Sequence, residues 1–380
     1  MRFVFGATGL MKLSKVVNRI ENRFPLQWAE DWDRSGLLVG DGWSEIRFIL
    51  LALDPSPAVI EEAGTKGADL IITHHPPDLA PPQRVVKGDP LGHAYYAAAR
   101  AGIALYAMHT VLDVSPISPS FALASQLDLL DTKAIVPTDG GKYQKLVVFV
   151  PENHLDDVRD AISKGGAGRI GKYSDCSFST SGEGTFLPGH DARPFSGIRG
   201  HLKKEKERRF ETIVPVERID DVVEAMIKAH PYEEVAYDLY PLANAPGRLG
   251  YGAVGDLSRP TSLLEIAQDL KGLLPSGGIS VCGKSEARIT RVAVLGGTGG
   301  DFIDKTIAAG ADVLITGEMK YHQFRYAEAR GLSIITAGHF ATEWVVLPVL
   351  KSELESTIWE HPGDVVIDIA KMEHSPYWMA

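Results

Sequence analysis

Short apolar runs alternate with helix-length segments over residues 46–127 and again over 291–369. Predicted strands lie at 46–53, 68–73, 103–108, 291–295, 312–316, 332–336 and 365–369. Predicted helices lie at 57–66, 90–101, 119–127, 301–309, 319–330 and 340–356. Such alternation is typical of an α/β fold, in which helices cover a largely parallel sheet.

The two regions also repeat a motif. Gly67-Ala68-Asp69 opens an apolar run that ends at His74-His75, and Gly310-Ala311-Asp312 opens one that ends at Gly317-Glu318. Further along, a second apolar run in each region leads to His109-x-x-x-Asp113 and to His339-x-x-x-Glu343. The repeat predicts duplicated βαβ-type lobes that form one domain and bring these strand ends together at one edge of a sheet.

Residues 144–242 follow a different order. Predicted strands lie at 145–150, 175–180, 209–214 and 235–240, with predicted helices at 153–164 and 217–229. The order β-α-β-β-α-β indicates a ferredoxin-like α+β module. The mixed-charge segment 201–209 is interpreted as a solvated turn rather than an anion site. We therefore predict a first half-domain over 11–142, an inserted domain over 143–243 and a second half-domain over 244–380.

Residues 1–10 are interpreted as an extension ahead of the first domain or as an artefact of the assigned start site. Residues 1–10 lack the apolar region of a signal peptide. Ser14 is predicted to cap a helix whose apolar face is formed by Val16, Val17, Ile20 and Phe24. No apolar run approaches the roughly 20 residues that span a bilayer.

Composition narrows the class of function. The net charge of −10 would repel phosphate backbones, which disfavours a nucleic-acid partner. Two cysteines cannot form a disulfide framework, which fits a reducing compartment, and we predict a cytoplasmic protein without a membrane partner.

Imidazoles and carboxylates at the strand ends favour a metal centre. Pro76 and Pro77 would turn the chain so that His74 and His75 serve one site, although satisfied histidines or a helix cap are the plainer alternative. A helix that begins near His339 would place Glu343 on the same face. Asp113 has the same spacing from His109, but Val114-Ser115-Pro116 favours a loop there.

These side chains suit zinc, iron, manganese or cobalt. Five ligands exceed the needs of one tetrahedral ion, so the pattern predicts two divalent ions about 3.5–4 Å apart. The five predicted ligands are His74, His75, Asp113, His339 and Glu343.

Other residues near the same strand ends allow two functional or structural interpretations each. Glu318 and His322 are candidates to orient ligands or carry a proton, with helix capping by Glu318 as the alternative. The run 296–300 could offer backbone N–H groups to a phosphate. Because it lacks the P-loop lysine, a tight turn is the preferred interpretation.

From Met11 onward the chain resembles the Nif-three-like family, whose members are often labelled GTP cyclohydrolase 1 type 2 homologues. The resemblance is carried by several motifs, which are Ala29-Glu30-Asp31-Trp32-Asp33, Gly36-Leu37-Leu38-Val39-Gly40, Thr73-His74-His75-Pro76, His109-Thr110-x-x-Asp113, Thr316-Gly317-Glu318 with His322, Gly338-His339-x-x-x-Glu343, Gly168-x-Ile170-Gly171-x-Tyr173-x-x-Cys176-x-Phe178 and Ala229-His230-Pro231-Tyr232-Glu233-Glu234.

The resemblance implies a dinuclear metal site formed by the same five residues, a homohexameric ring and a central module related to the PII/CutA fold. It leads to the hypothesis of a metal-dependent hydrolase that acts on a nucleotide or related phosphate-bearing small molecule, with His109, Glu318 and His322 as candidate proton carriers. The alternative is a metal-binding hexameric scaffold or regulatory protein, in which a PII-like module senses a ligand and nothing is turned over.

Overall fold

The chain folds into two compact units in a computed structural model, which describes residues 11–138, 143–170, 173–242, 249–275, 278–358 and 365–378. Unit 1 contains the described residues up to Thr138 and from Leu249 onward, and unit 2 contains those from Tyr143 to Leu242. Residues 1–10 and the predicted boundary between residues 243 and 244 lie outside the described residues. No described helix is long and apolar enough to cross a membrane.

The described strands and α-helices are as follows. The strands are β1 (Met11–Lys12), β2 (Gly36–Val39), β3 (Glu45–Ile46), β4 (Phe48–Ala52), β5 (Leu70–Thr73), β6 (Ala104–Ala107), β7 (Leu130–Lys133), β8 (Val136–Pro137), β9 (Tyr143–Pro151), β10 (Ser177–Phe186), β11 (Lys203–Pro215), β12 (Tyr237–Pro241), β13 (Gly250–Tyr251), β14 (Ala253–Ser262), β15 (Ser280–Cys282), β16 (Arg288–Thr298), β17 (Val313–Glu318), β18 (Ser333–Thr336) and β19 (Val366–Ile369). The helices are α1 (Leu13–Arg23), α2 (Pro57–Lys66), α3 (His93–Ala101), α4 (His109–Asp113), α5 (Pro119–Gln126), α6 (Leu155–Lys164), α7 (Ile219–Ala229), α8 (Leu263–Leu273), α9 (Ile303–Ala308), α10 (Tyr321–Ala329), α11 (His339–Trp344) and α12 (Val346–Ile358).

A five-stranded sheet in unit 1 has the order β19-β4-β5-β6-β2. Its strands β19, β4, β5 and β6 are parallel, and β2 is antiparallel to β6. In β4, Ile49 and Leu51 pack into one apolar cluster while Leu50 and Ala52 pack into another. This two-residue alternation shows that both faces of the sheet are buried. The predicted α/β class is confirmed.

A second, six-stranded sheet in unit 1 has the order β15-β18-β17-β16-β14-β7, with β16, β17 and β18 parallel. The expectation that the strand ends share one edge of one sheet is therefore wrong, because two separate sheets supply them. The last strand also departs from the simple repeat. Although it follows the second parallel set in sequence, β19 pairs with β4 of the first sheet.

Two local predictions in unit 1 are wrong. Helix α1 begins at Leu13 after the N-cap residue Lys12, so Ser14 lies inside the helix, although the predicted apolar face is buried. The single helix predicted over 340–356 is instead α11 followed by α12. Pro348 explains the break, since a continuous helix would need its missing N–H and would press its ring against the carbonyl of Trp344.

Unit 2 contains a four-stranded antiparallel sheet of order β10-β11-β9-β12, and its elements follow in the order β-α-β-β-α-β. The solvated turn predicted over 201–209 is wrong from Lys203 onward, because β11 starts there and pairs with β10. Cross-strand charge pairs stabilise this extension, such as Lys204 Nζ to Glu183 Oε1 at 2.7 Å.

Candidate metal centre

His74 and His75 follow β5 at the carboxyl end of the first sheet. Their backbone N–H groups donate to Ala52 O (3.1 Å) and Leu53 O (2.8 Å), while Thr73 Oγ1 donates to His75 O at 2.6 Å. Adjacent side chains of an extended strand point to opposite faces. Here the chain bends, and the two imidazole centroids are only 4.7 Å apart. The bend expected before Pro76 therefore brings both rings to one place.

Glu343 lies among three imidazoles. Its Oε1 is 3.1 Å from His339 Nε2, and its Oε2 is 3.2 Å from His75 Nε2 and 3.7 Å from His74 Nδ1. Only 4% of the residue is exposed. His339 and Glu343 share a face of α11 as predicted, because a helix places residues four apart next to each other.

Two buried atoms in this group have no hydrogen-bond partner among the described residues. They are His74 Nδ1 and Glu343 Oε2, both of which are good metal ligands. Two ligand atoms that share a tetrahedral cation at about 2.0–2.1 Å lie roughly 3.3 Å apart. His74, His75 and Glu343 offer ligand atoms that all lie within 4.8 Å of one another. These residues therefore fit a divalent cation.

Asp113 and His339 extend the group on opposite sides. Asp113 Oδ1 lies 3.1 Å from His74 Nε2, and His339 approaches the oxygen of Glu343 that faces away from His75. The loop expected at Asp113 is instead the end of the short helix α4. The structure thus brings all five predicted ligands together in a cluster, which we call the His/Glu cluster.

Each outer imidazole contacts a carboxylate that fixes its ring. Asp54 Oδ1 lies 3.0 Å from His75 Nδ1, Glu318 Oε1 lies 3.1 Å from His339 Nδ1, and Asp33 Oδ1 lies 2.7 Å from His109 Nδ1. In metal sites, a carboxylate on the second ring nitrogen sets the tautomer and orients the ligand. The surroundings of the His/Glu cluster are therefore arranged as in a metal site.

The charged groups of the cluster shift one another's pKa values in favour of the charged forms. Burial opposes protonation of His75, but Asp54 and Glu343 outweigh it and raise its pKa to about 10. Burial also opposes protonation of His339, but Glu343 and Glu318 outweigh it and raise its pKa to about 9. Burial would raise the pKa of Glu343, but the imidazoles hold it well below its usual range. Because only a deprotonated imidazole binds a metal, a cation must compete with these protons.

The family of the chain is shown by its similarity to known proteins. The sequence profile of the Duf34/NIF3 family (NGG1p interacting factor 3) matches residues 11–376. The chain belongs to the Duf34/NIF3 family. The resemblance inferred from the motifs is therefore confirmed.

Individual relatives match along nearly the whole chain. A protein of Halalkalibacterium halodurans named GTP cyclohydrolase 1 type 2 homolog is 37% identical over 362 residues, which cover 95% of this chain and 97% of that protein. The Bacillus subtilis protein of the same name is 36% identical over 363 residues, covering 96% and 97%. A crystal structure of a Bacillus cereus protein related to NIF3 has a TM-score of 0.87 and 35% identity, covering 98% and 100%.

The glycine run 296–300 of this Duf34/NIF3 chain contacts the His/Glu cluster. Strand β16 continues to Thr298, so the predicted turn is wrong for the first three residues of the run. Gly297 has φ +69°, and a Cβ there would lie 2.4 Å from Glu343 Oε1. Its N–H donates to Thr342 Oγ1 and that of Gly296 to Ser120 Oγ, so neither is free for a phosphate. Glycine is required here because the backbone passes directly over the carboxylate.

The candidate proton carriers of the Duf34/NIF3 site have different surroundings. His109 stands beside the cluster, with its ring centroid 5.5 Å from that of His74. Glu318 ends β17 and contacts His339, and α10 begins only at Tyr321 after Lys320, so Glu318 caps no helix. His322 is exposed on α10, and no hydrogen bond or ion pair links it to the cluster within the described part of the chain.

Three carboxylates that support the cluster are not predicted from the sequence. Asp33 also accepts hydrogen bonds from the N–H and hydroxyl of Thr110 (3.0 and 2.6 Å), and Asp54 receives support from Glu373, whose Oε1 accepts from the Asp54 N–H at 2.6 Å. The sequence does contain a signal for Asp54, which lies two residues after the end of β4 at the same sheet edge as His74. For Glu373 the sequence holds no such signal, since it is 319 residues away.

Proposed function

We propose that this Duf34/NIF3 protein binds two divalent metal ions through His74, His75, Asp113, His339 and Glu343, and that it is a metal-dependent hydrolase. The observation that carries the proposal is a pair of buried ligand atoms without a hydrogen-bond partner among the described residues, His74 Nδ1 and Glu343 Oε2, inside a five-residue cluster. The name of the bacterial relatives makes GTP the first substrate to test within the class of phosphate-bearing small molecules.

Bound divalent ions would supply Lewis-acid activation of water and of the bond under attack. The protein's own residues supply position and proton transfer. Asp33 accepts from Nδ1 of His109, which leaves Nε2 as the atom that takes up and releases a proton next to the cluster. Glu318 holds His339, and Asp54 holds His75, so the two rings keep one orientation during a reaction.

The proposal predicts that protein loaded with zinc, iron, manganese or cobalt contains two ions per chain and consumes GTP. His75→Ala is expected to abolish turnover and to lower the metal content, measured by liquid chromatography of the nucleotides and by elemental analysis. His190→Ala, at an exposed histidine of unit 2, is the control and should behave like the parent protein. Unchanged turnover by a folded His75→Ala protein would contradict the hydrolase proposal.

A second candidate function is a metal-binding scaffold or regulatory protein without turnover. It is favoured by a cavity in unit 2, separate from the His/Glu cluster, which is lined by residues of β9, β10, β11 and the segment before β12. In that case chelation should lower the melting temperature, because a ligand of the native state stabilises it by mass action. A panel of nucleotides would then show no hydrolysis by the fully metal-loaded protein.

We also propose that unit 1 arose by duplication. Asp69 Oδ2 accepts from the N–H groups of Arg47 and Phe48 (2.8 and 3.0 Å), and Asp312 Oδ2 accepts from those of Thr290 and Arg291 (2.7 and 2.9 Å). The two aspartates therefore join equivalent strands of the two sheets. A superposition of 47–107 on 290–336 that failed to align these strands would count against the duplication. The β-α-β-β-α-β order similarly supports a PII/CutA-like fold for unit 2.

A homohexamer is the proposed assembly. A hexamer would give large apolar side chains that are exposed on unit 1, among them Trp43 (76%) and Trp378 (82%), a place to be buried at subunit contacts. Sedimentation equilibrium of the full chain should give six times the monomer mass. A monomer at micromolar concentration would contradict this proposal.

A further inference from the structure

Unit 2 contains a half-open cavity of about 400 Å³ whose walls are mostly apolar. Its aromatic and aliphatic lining includes Phe149, Phe186, Pro194, Phe195, Tyr232 and Ala236. The charged residues of the lining are all glutamates, namely Glu207, Glu233 and Glu234. A volume of this size suits a small organic molecule, and the charge of its walls disfavours anions.

Glu207 is the feature that points to a ligand. It lies in the interior of β11 and is only 9% exposed. Its Oε1 accepts a hydrogen bond from Tyr232 Oη at 2.8 Å, whereas no described lysine, arginine or histidine forms an ion pair with it. A buried carboxylate without a cationic partner is strongly unfavourable. The cavity therefore contains a buried carboxyl group that no described cationic side chain pairs with.

The neighbouring strand is shaped to hold this carboxylate in place. A Cβ at Gly184 of β10 would lie 2.0 Å from Glu207 Oε2. Lys203 lies on the same strand as Glu207, but it pairs with Glu205. The burial of Glu207 thus results from the close packing of its carboxyl group against Gly184 in the hairpin formed by β10 and β11.

Aromatic rings stand around the same space. The ring centroid of Tyr232 lies 5.9 Å from that of Phe186 and 6.0 Å from that of Phe195. The faces of aromatic rings attract a cation within about 6 Å of their centroids, most strongly when it is desolvated. A set of aromatic faces beside a buried carboxylate is the arrangement that recognises ammonium groups.

We propose that this cavity binds a small organic cation, an amine or quaternary ammonium compound with an apolar substituent. Its charged group pairs with Glu207 and lies against Tyr232 and Phe195, and its apolar part fills the remaining space. Nucleotides and other phosphate compounds are excluded by the three glutamates. The proposal concerns unit 2 alone and does not depend on metal binding or hydrolysis by unit 1.

Isothermal titration of the full-length protein tests the proposal with two organic cations, benzyltrimethylammonium and phenethylammonium, and with the anion phenylacetate at equal ionic strength. The expected result is saturable binding of at least one of the cations at one site per chain and no binding of phenylacetate. Absence of saturable binding by both cations, or equal binding of the anion, would overturn the proposal. Glu343→Gln should bind the cations like the parent protein, which separates this test from that of the metal centre.

Substitution of the carboxylate gives the sharpest readout. Glu207→Gln preserves shape and the acceptor for Tyr232 but removes the charge, so cation affinity should fall at least tenfold while the melting temperature without ligand stays the same or rises. Glu183→Gln, an exposed position on β10 paired with Lys204, is the matched control and should bind normally. Phe195→Leu, at the exposed side of the cavity, should weaken binding severalfold even if Glu207→Gln fails to fold. Unchanged affinity in both cavity variants would refute the assignment.

Discussion

Glu343→Gln is expected to cause the largest loss of metal binding among single substitutions in this protein. The carboxylate contacts His339 through one oxygen and lies between His75 and His74 with the other, so the change removes the negative charge that all three imidazoles share. Substitution of outer-shell partners in metal sites costs about 10–100-fold in affinity, and the loss of a central ligand should exceed about 100-fold. Elemental analysis and competition with a fluorescent chelator would measure it.

The matched control for this variant is Glu328→Gln. Glu328 is exposed on α10 and pairs with Arg325, so it changes the net charge equally without contact to the cluster. Its metal content and affinity should equal those of the parent protein. If the folded Glu343→Gln protein retained two ions at parental affinity, the assignment of this carboxylate as the central ligand would be untenable.

Gly297→Ala is expected to disturb the proposed metal centre without altering any of its five ligands. The new Cβ would lie 2.4 Å from Glu343 Oε1 and 3.3 Å from His339 Nε2, so the carboxylate or the strand must move. The left-handed conformation at φ +69° adds about 1–2 kcal/mol of backbone strain for a residue with a side chain. We expect at least a tenfold loss of metal affinity together with a lower melting temperature.

Gly331→Ala separates the two causes. Gly331 has φ +76°, and a Cβ there would meet nothing within 4 Å, so this variant carries only the backbone strain. It should lower the melting temperature by a similar backbone contribution and leave metal affinity unchanged. Equal metal affinities of the two variants would show that the close approach of Gly297 to Glu343 has no role in the site.

The cluster was predictable where its chemistry is local in sequence. His74 and His75 follow an apolar run, and His339 and Glu343 are four residues apart on a helix, so strand-end position and helical spacing identify them. The supporting carboxylates Asp33, on His109, and Glu373, on the backbone of Asp54, were not predictable in the same way. Their contacts join segments far apart in the chain, and a single sequence contains no record of which distant segments meet.

The arrangement of the two sheets illustrates the same limit. An apolar run that is buried on both faces predicts a strand, but it does not identify the neighbouring strand. The sequence pattern therefore predicted β4, β5 and β6 and their counterparts β16, β17 and β18, yet it could not place them in separate sheets. Gly297 is an example of this limit at a single residue. Only glycine fits at this position because the carboxylate of Glu343, 46 positions later in the chain, lies against the backbone.

The pairing of β19 with β4 constrains how this protein matures on the ribosome. Ile367 lies opposite Ile49, so the first sheet lacks its edge strand β19 until residues 366–369 have been synthesised. Contacts between such distant segments slow folding, because the long loop between them must close first. The sheet of the inserted unit 2 is formed by residues 143–241 alone. This unit can therefore fold before the final strand of the first sheet has been synthesised.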